Sequence, residues 1–252
     1  MRIALVIIGD EILDGLREDK NFRIALNILG KTNKISTVIF VRDNLEELKK
    51  TLQCVKDLAD VVITSGGLGL TPDDITLKAF SVAFGIELIR NPEKKEVAKK
   101  NIERVSAFQY NNFIDELAIG LSGSTPIENP VGVAAGEKIK IGNTTFYILP
   151  GVPKEFEAMV KIIANEFKKD LKESKIEYEV NEKEANLIKT LRGLEEKFGI
   201  RTASYPPIEQ GEKLKIILYG NKIKLKEAKE YFEKALKETQ IYFEEKSPSH
   251  TS

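Results

Sequence analysis

The chain has 252 residues, 39 basic against 39 acidic, so it carries no formal net charge and offers no basic field for nucleic acid. Its one cysteine, Cys54, excludes a disulfide framework and a thiolate metal site, and its one histidine, His250, falls in the polar run Ser247-Pro248-Ser249-His250-Thr251-Ser252. Histidine catalysis within the fold is thereby excluded, and any metal must be held mainly by oxygen, which favours a hard, magnesium-like ion.

Arg2 to Ile8 reads as a strand beginning at once, and no apolar stretch reaches the ~20 residues of a membrane span, so signal-peptide and membrane readings fail and a cytoplasmic protein is expected. Phe22, Ala25, Leu26 and Leu29 recur at helical spacing before Gly30, Ile35 to Val41 is a second strand, and Leu45 to Leu58 a second helix. Cys54 borders the apolar face of that helix and reads as core or flank. Asp60 to Thr64 is a third strand, short and β-branched. Pro92 to about Tyr110 reads as a long helix, then an irregular stretch runs through Gly136, followed by a hairpin of Lys138 to Ile141 and Thr145 to Leu149. Pro150-Gly151-Val152-Pro153 turns into a helix reaching about Asp170, with Pro153 as its first residue. Strands alternating with helices predict a three-layer α/β domain over 1–170 with a mostly parallel sheet, whose ligand site lies beyond the carboxyl ends of the strands.

Residues 171–175 form a charged hinge, after which the order changes. Ile176 to Val180, Ile200 to Ser204, Lys213 to Tyr219 and Ile241 to Glu244 read as strands, with helices over Lys183 to Phe198 and Leu225 to Lys237. This β-α-β-β-α-β order predicts a small α+β, ferredoxin-like domain over 176–245, with 246–252 a disordered tail.

The stretch that carries chemistry is Gly66-Gly67-Leu68-Gly69-Leu70-Thr71-Pro72-Asp73-Asp74-Ile75-Thr76. Its glycines let the backbone present bare N–H groups to an anion, and the spacing predicts a helix starting at Pro72, with Thr71 as N-cap and the two aspartates in the first turn. Two carboxylates repel a phosphate unless a cation lies between them, so a divalent metal is implied. Thr71 and Asp74 also make a capping-box-like pattern that needs no ligand. The string lacks both the Gly-Lys-Ser/Thr ending and the Gly-x-Gly-x-x-Gly spacing, which sets aside Walker and Rossmann readings.

These residues resemble the signature of the molybdopterin-binding, MoaB/Mog-like domain in the version carried by the CinA (competence-damage-inducible protein A) family. Gly9-Asp10-Glu11-Ile12-Leu13-Asp14-Gly15 with Asn21, Val41-Arg42-Asp43, Asn129-Pro130-Val131-Gly132 and Pro150-Gly151-Val152-Pro153 match further family motifs in the same order. Departures fall at Lys20, Leu70, Ala135 and Glu116, the last where the family commonly has a basic or glutamine residue. The chain also stops short of the family's carboxyl-terminal amidase domain, so amidase activity is not expected. The resemblance implies hydrolysis of a nucleotide pyrophosphate such as ADP-ribose, or FAD, to release AMP, with magnesium or cobalt and potassium. Asp43 and Asp74 are then the essential catalytic pair, although Asp43 reads equally as a helix N-cap. Asp10, Glu11 and Asp74 are the metal candidates, and Gly66, Gly67, Gly69, Thr71, Thr76, Asn129, Gly132, Pro150 and Gly151 the phosphate and substrate contacts. The alternatives are molybdopterin binding or adenylylation in cofactor synthesis, and a non-catalytic nucleotide sensor. A homo-oligomer, dimer or trimer, is expected from the resemblance. Tyr205, in Ala203-Ser204-Tyr205-Pro206-Pro207, either stacks on a ring or packs between domains.

Overall fold

The first strand, β1 (Arg2–Ile8), is buried at every position after Arg2, as a strand covered on both faces must be. Alternate side chains feed two different cores. Ala4, Val6 and Ile8 join one, and Ile3 and Leu5 the other. The computed structural model describes residues 1–30, 33–167, 174–209 and 211–246. Residues 171–173 of the charged hinge, and 247–252 with His250, lie outside the described residues. Contacts divide the chain into two compact units, Met1–Asp170 and Leu171–Ser252.

In the first unit β1 is followed by α1 (Asp10–Leu13), α2 (Asn21–Leu29), β2 (Lys34–Val41), α3 (Leu45–Leu58), β3 (Val61–Ser65) and α4 (Thr76–Phe84). Then come β4 (Leu88–Arg90), α5 (Pro92–Arg104), a 3-10 turn at Phe108–Phe113, α6 (Ile114–Leu117), β5 (Ile119–Leu121) and β6 (Thr125–Ile127). A hairpin of β7 (Gly136–Ile141) and β8 (Thr144–Leu149) leads into α7 (Pro153–Ala164). The main sheet has the order β2-β1-β3-β8-β7-β6, parallel from β2 to β8 and antiparallel beyond. Leu48, Leu52 and Val55 of α3 and Phe80 of α4 cover one face. Leu29 of α2 and Phe156, Met159 and Ile163 of α7 cover the other. This is the three-layer, mostly parallel architecture expected from the sequence.

In the second unit β9 (Ser174–Val180), α8 (Glu184–Phe198), β10 (Arg201–Tyr205), β11 (Leu214–Gly220), α9 (Lys222–Glu238) and β12 (Phe243–Lys246) form an antiparallel sheet of order β10-β11-β9-β12. One core unites Leu187, Leu191 and Leu194 of α8 with Phe232 of α9 and Tyr178, Ile216 and Leu218 of the strands. The order and the one-sided helices are those of the ferredoxin-like split sandwich. Lys246, read from sequence as the start of the tail, instead closes β12 opposite Glu177.

Several boundaries differ from expectation. The helix after the glycine loop begins at Thr76, not Pro72. Asp74 N–H bonds the Thr71 carbonyl at 2.9 Å, so Thr71 to Asp74 close a tight turn before the helix starts. The aspartates are therefore turn residues and not first-turn helical acids. The helix from Pro92 stops at Arg104, and the helix from Pro153 at Ala164. The stretch before Gly136, read as irregular, holds the 3-10 turn, α6, β5 and β6.

Candidate functional site

Four parallel strands end side by side, with Ile7 opposite Ser65, Ile8 opposite Val41 and Ser65 opposite Leu149. The segments leaving them therefore meet at one edge of the sheet. A cleft of about 790 Å³ lies there, lined by Gly66 to Thr71, Asp43, Asp73, Asp74, Gly132, Pro150 and Gly151 among others.

The glycine loop is fixed from below. Gly66 and Gly67 have φ of 119° and 66°, and a Cβ would run into the Ile8 carbonyl at the first and the Thr76 hydroxyl at the second. Thr76 is fully buried and donates its hydroxyl to the Gly66 carbonyl at 2.8 Å, while its N–H bonds the Gly67 carbonyl at 3.2 Å. It stands behind the cleft wall and braces the loop, where the sequence had made it a ligand contact. With both carbonyls held, the N–H groups of Gly67, Leu68, Gly69 and Leu70 donate to no acceptor among the described residues. Consecutive amides of this kind are the donors from which an anion nest is built.

The carboxylates divide by role. Asp74 accepts from the Thr71 N–H at 2.8 Å and the Thr71 hydroxyl at 2.5 Å, which is the acid's half of a capping box without the Thr half, and it stabilises the turn. Asp10 lies outside the residues lining the cleft. Its carboxylate accepts from Arg42 at 3.3 Å and from the Asp43 N–H at 3.3 Å, and its own N–H donates to Asp43 at 2.9 Å. It therefore holds Asp43 in place. Asn44, not Asp43, caps α3, accepting from Glu46 and Glu47 N–H groups at 3.0 and 3.1 Å. That frees Asp43 from the capping role open to it in the sequence. Burial pushes the Asp43 carboxyl up, the Asp10 amide bond partly opposes this, and the charges of Asp10, Glu11 and Asp73 add to the rise.

Among the described residues no three Asp, Glu, Cys or His side chains gather closely enough to hold a metal ion alone. Asp10, Glu11 and Asp74 thus do not form a cage. The donor set suits a magnesium-like ion held by one or two carboxylates and by the ligand's own phosphate oxygens. Glu11, Asp43 and Asp74, which all line the cleft, are the residues available for this.

The far wall contains residues that the sequence reading missed. Asn129, expected to touch substrate, is fully buried and donates to the Ala134 carbonyl at 3.0 Å and to Glu155 at 2.6 Å. It thereby sets Glu155, a cleft residue whose carboxyl burial raises and the Asn129 bond partly lowers. Gly132 lies directly against Glu155, which leaves no room for a side chain. Glu155 was legible only as an acid in the first turn after Pro153. Tyr110, Phe113 and Val131 give the cleft an apolar, partly exposed wall. Arg17 is the basic side chain in a cleft also lined by Glu11, Asp43, Asp73, Asp74 and Glu155, and no ion-pair partner for it occurs among the described residues. Nothing in its sequence context singled it out. Glu116 does not line the main cleft but borders an adjoining pocket with the buried Lys94, on the other side of the same Gly67 to Thr71 loop.

Residues 4–169 match the family model described as a probable molybdopterin binding domain. A CinA-like protein of Petrotoga mobilis is 30% identical over 183 residues, covering 71% of this chain and 44% of that protein. A protein of Pyrococcus abyssi is 29% identical over 237 residues, 87% of this chain and 90% of its own length. The crystal structure of the protein CinA, of unknown function, from Thermoplasma acidophilum superposes with a TM-score of 0.58 at 30% identity, covering 66% of this chain and 98% of that one. The chain spans less than half the length of the CinA-like relatives it matches, 38–44%. No helix among the described residues is long and apolar enough to cross a membrane.

Proposed function

The chain belongs to the molybdopterin-binding domain family, in its CinA-like group, and on that premise we propose that the cleft binds a phosphorylated ring compound, in the first place a molybdopterin-type pterin. The observation that carries this is the run of four amides, Gly67 to Leu70, that have no acceptor among the described residues, in a cleft that also holds Arg17, which has no ion-pair partner among them. The phosphate sits on the amides, and the flat ring lies against Tyr110, Phe113 and Val131. The excess of carboxylates favours binding with a cation, for which Glu11, Asp43 and Asp74 are the holders. Such a cation, when bound, neutralises phosphate charge and polarises its P–O bonds.

A second reading, hydrolysis of a nucleotide pyrophosphate of the ADP-ribose type, is favoured by Asp43. A half-buried carboxyl with a raised pKa in the cleft suits a general base. Asp43 takes a proton from water as the water oxygen bonds phosphorus. The P–O–P link breaks, and AMP and ribose 5-phosphate leave.

Calorimetric titration with molybdopterin, with and without magnesium, together with AMP release from ADP-ribose, tests both. Pterin binding that weakens at least tenfold in Asp74→Asn, with no AMP formed, is the outcome expected from the first reading. Metal-dependent AMP release lost in Asp43→Asn replaces it with the second. A folded protein that does neither overturns both.

A further inference from the structure

Glu155, in the first turn of α7, is the one acid of the cleft held in place from behind by a buried amide. The charges of Asp10, Glu11 and Asp73 act on Asp43, whereas that of Glu155 does not, and no charged neighbour acts on Glu155 itself. It therefore stands apart from the other carboxylates, and no ion-pair partner for it occurs among the described residues. Asn129, fully buried, accepts from the Val131 N–H at 3.2 Å and donates to the Ala134 carbonyl at 3.0 Å and to Glu155 Oε2 at 2.6 Å. A backbone N–H can only donate and a carbonyl can only accept, so the amide has one orientation and always turns a donor to Oε2. Gly132 lies against that same oxygen and the Asn129 amide nitrogen. The other oxygen, Oε1, has no partner among the described residues and is not enclosed. A half-buried carboxylate without a cation needs donors, and here the side left open is in a cleft whose wall, at Tyr110, Phe113 and Val131, suits a flat ring.

We propose that Glu155 reads the ring of the ligand, accepting from an amino group and the ring N–H beside it, the edge that guanine and pterin share and adenine lacks. This rests on the reading of the cleft as the site of a phosphorylated ring compound, and it narrows the ring. Two parallel N–H donors match the two oxygens of a carboxylate, as the fork of an arginine does. Adenine places an acceptor, N1, beside its amino group, and that nitrogen would face a carboxylate oxygen with no proton between them. Repulsion thus adds to attraction in setting the preference.

The test titrates the full chain by calorimetry with inorganic phosphate and with GMP, IMP and AMP, which differ only in the ring. Wild-type protein should bind GMP about tenfold or more tightly than AMP, with IMP, which keeps the ring N–H but lacks the amino group, between them. In Glu155→Gln, Asn129 retains the glutamine oxygen, so the new NH2 takes the open place and the preference for GMP over AMP falls about tenfold. Equal losses for both nucleotides, the mark of a merely structural role, overturn the proposal. So do equal wild-type affinities, which would place the ribose on Glu155, and a preference for AMP, which would also favour the adenylate reading. Binding of phosphate without any nucleotide overturns it and leaves the anion site standing. Failure to bind phosphate or nucleotide refutes the anion reading and the proposal together. If the variant does not fold, the wild-type order GMP, IMP, AMP supports the proposal and any other order overturns it. Neopterin 3′-phosphate carries the same edge on a pterin: tighter binding than GMP supports a pterin as its source, and weaker binding supports a guanine.

Discussion

Asp43 and Gly67 both line the cleft, and each is sensitive to a single substitution for a different physical reason. The Asp43 carboxyl is raised by burial and by Asp10, Glu11 and Asp73, so the folded protein holds its proton more tightly than the unfolded chain does. Stability from this group is therefore lost as pH rises from the ordinary aspartate range through the raised folded value, and at neutral pH the full penalty is present. Asp43→Asn keeps an acceptor for the Asp10 N–H and removes the charge. Its melting temperature should exceed that of the wild type at pH 7, and the difference should shrink on acidification; a lower melting temperature at pH 7 contradicts this account. Function should move the other way, as is common where a site keeps an uncomfortable group. For Gly67→Ala both effects point downward, because φ is positive and the new Cβ meets the Thr76 hydroxyl. Destabilisation of about 1–3 kcal/mol is expected, with ligand affinity reduced at least tenfold. Denaturant titration and calorimetry on one sample would check the two together. The glycines were singled out in the sequence by local turn chemistry, and Asp43 and Asp74 by motif resemblance and by their place beyond strand ends. Glu155 and Arg17 were not, since their place in the cleft depends on chain segments more than a hundred residues apart meeting across the sheet.

Among the elements, α5 carries an ion pair that no periodicity marks. Lys94, in its first turn, is 4% exposed, and its ammonium donates to Glu137 of β7 at 2.5 Å and to the Ile119 carbonyl of β5 at 2.7 Å. Glu137 also accepts from the Leu121 N–H at 3.0 Å. Burial lowers the Lys94 pKa while Glu137 resists the drop. Helix, small sheet and main sheet are thus joined through one pair beside the glycine loop. Lys94→Met leaves a buried carboxylate without its cation and should cost about 3–5 kcal/mol, whereas Lys94→Met with Glu137→Leu should recover most of that loss. Equal destabilisation in the single and double variants, by urea unfolding, would mean the pair is not what links these elements. The same region shows where sequence reading stopped. Long amphipathic runs such as α3 and strongly β-branched runs such as β3 were placed to within a residue or two at each end. Three-residue strands β4, β5 and β6 have too few residues for a period to register, and the Thr71 to Asp74 turn won over helix start because Asp74 reaches back to Thr71.

At the scale of the whole molecule, the cleft belongs to one unit. Every residue lining it lies between Ile8 and Glu155, and both cores of that unit are built from its own residues. The core of the second unit likewise draws only on residues from 176 onward. The Thermoplasma acidophilum structure, almost wholly covered by 66% of this chain, is a protein of about the size of the first unit alone. These facts argue that the first unit folds and binds by itself, and that its stability is separable from the rest. A fragment of residues 1–170 should show a single cooperative thermal transition by circular dichroism, and should titrate with pyrophosphate within about threefold of the full chain, since no residue of the cleft has been removed. Scanning calorimetry of the full chain should then contain the fragment's transition as one component. If the fragment melts cooperatively but binds more than tenfold more weakly, the cleft draws on the second unit in solution. If it does not fold, the two cores are not energetically independent despite drawing on separate stretches of sequence.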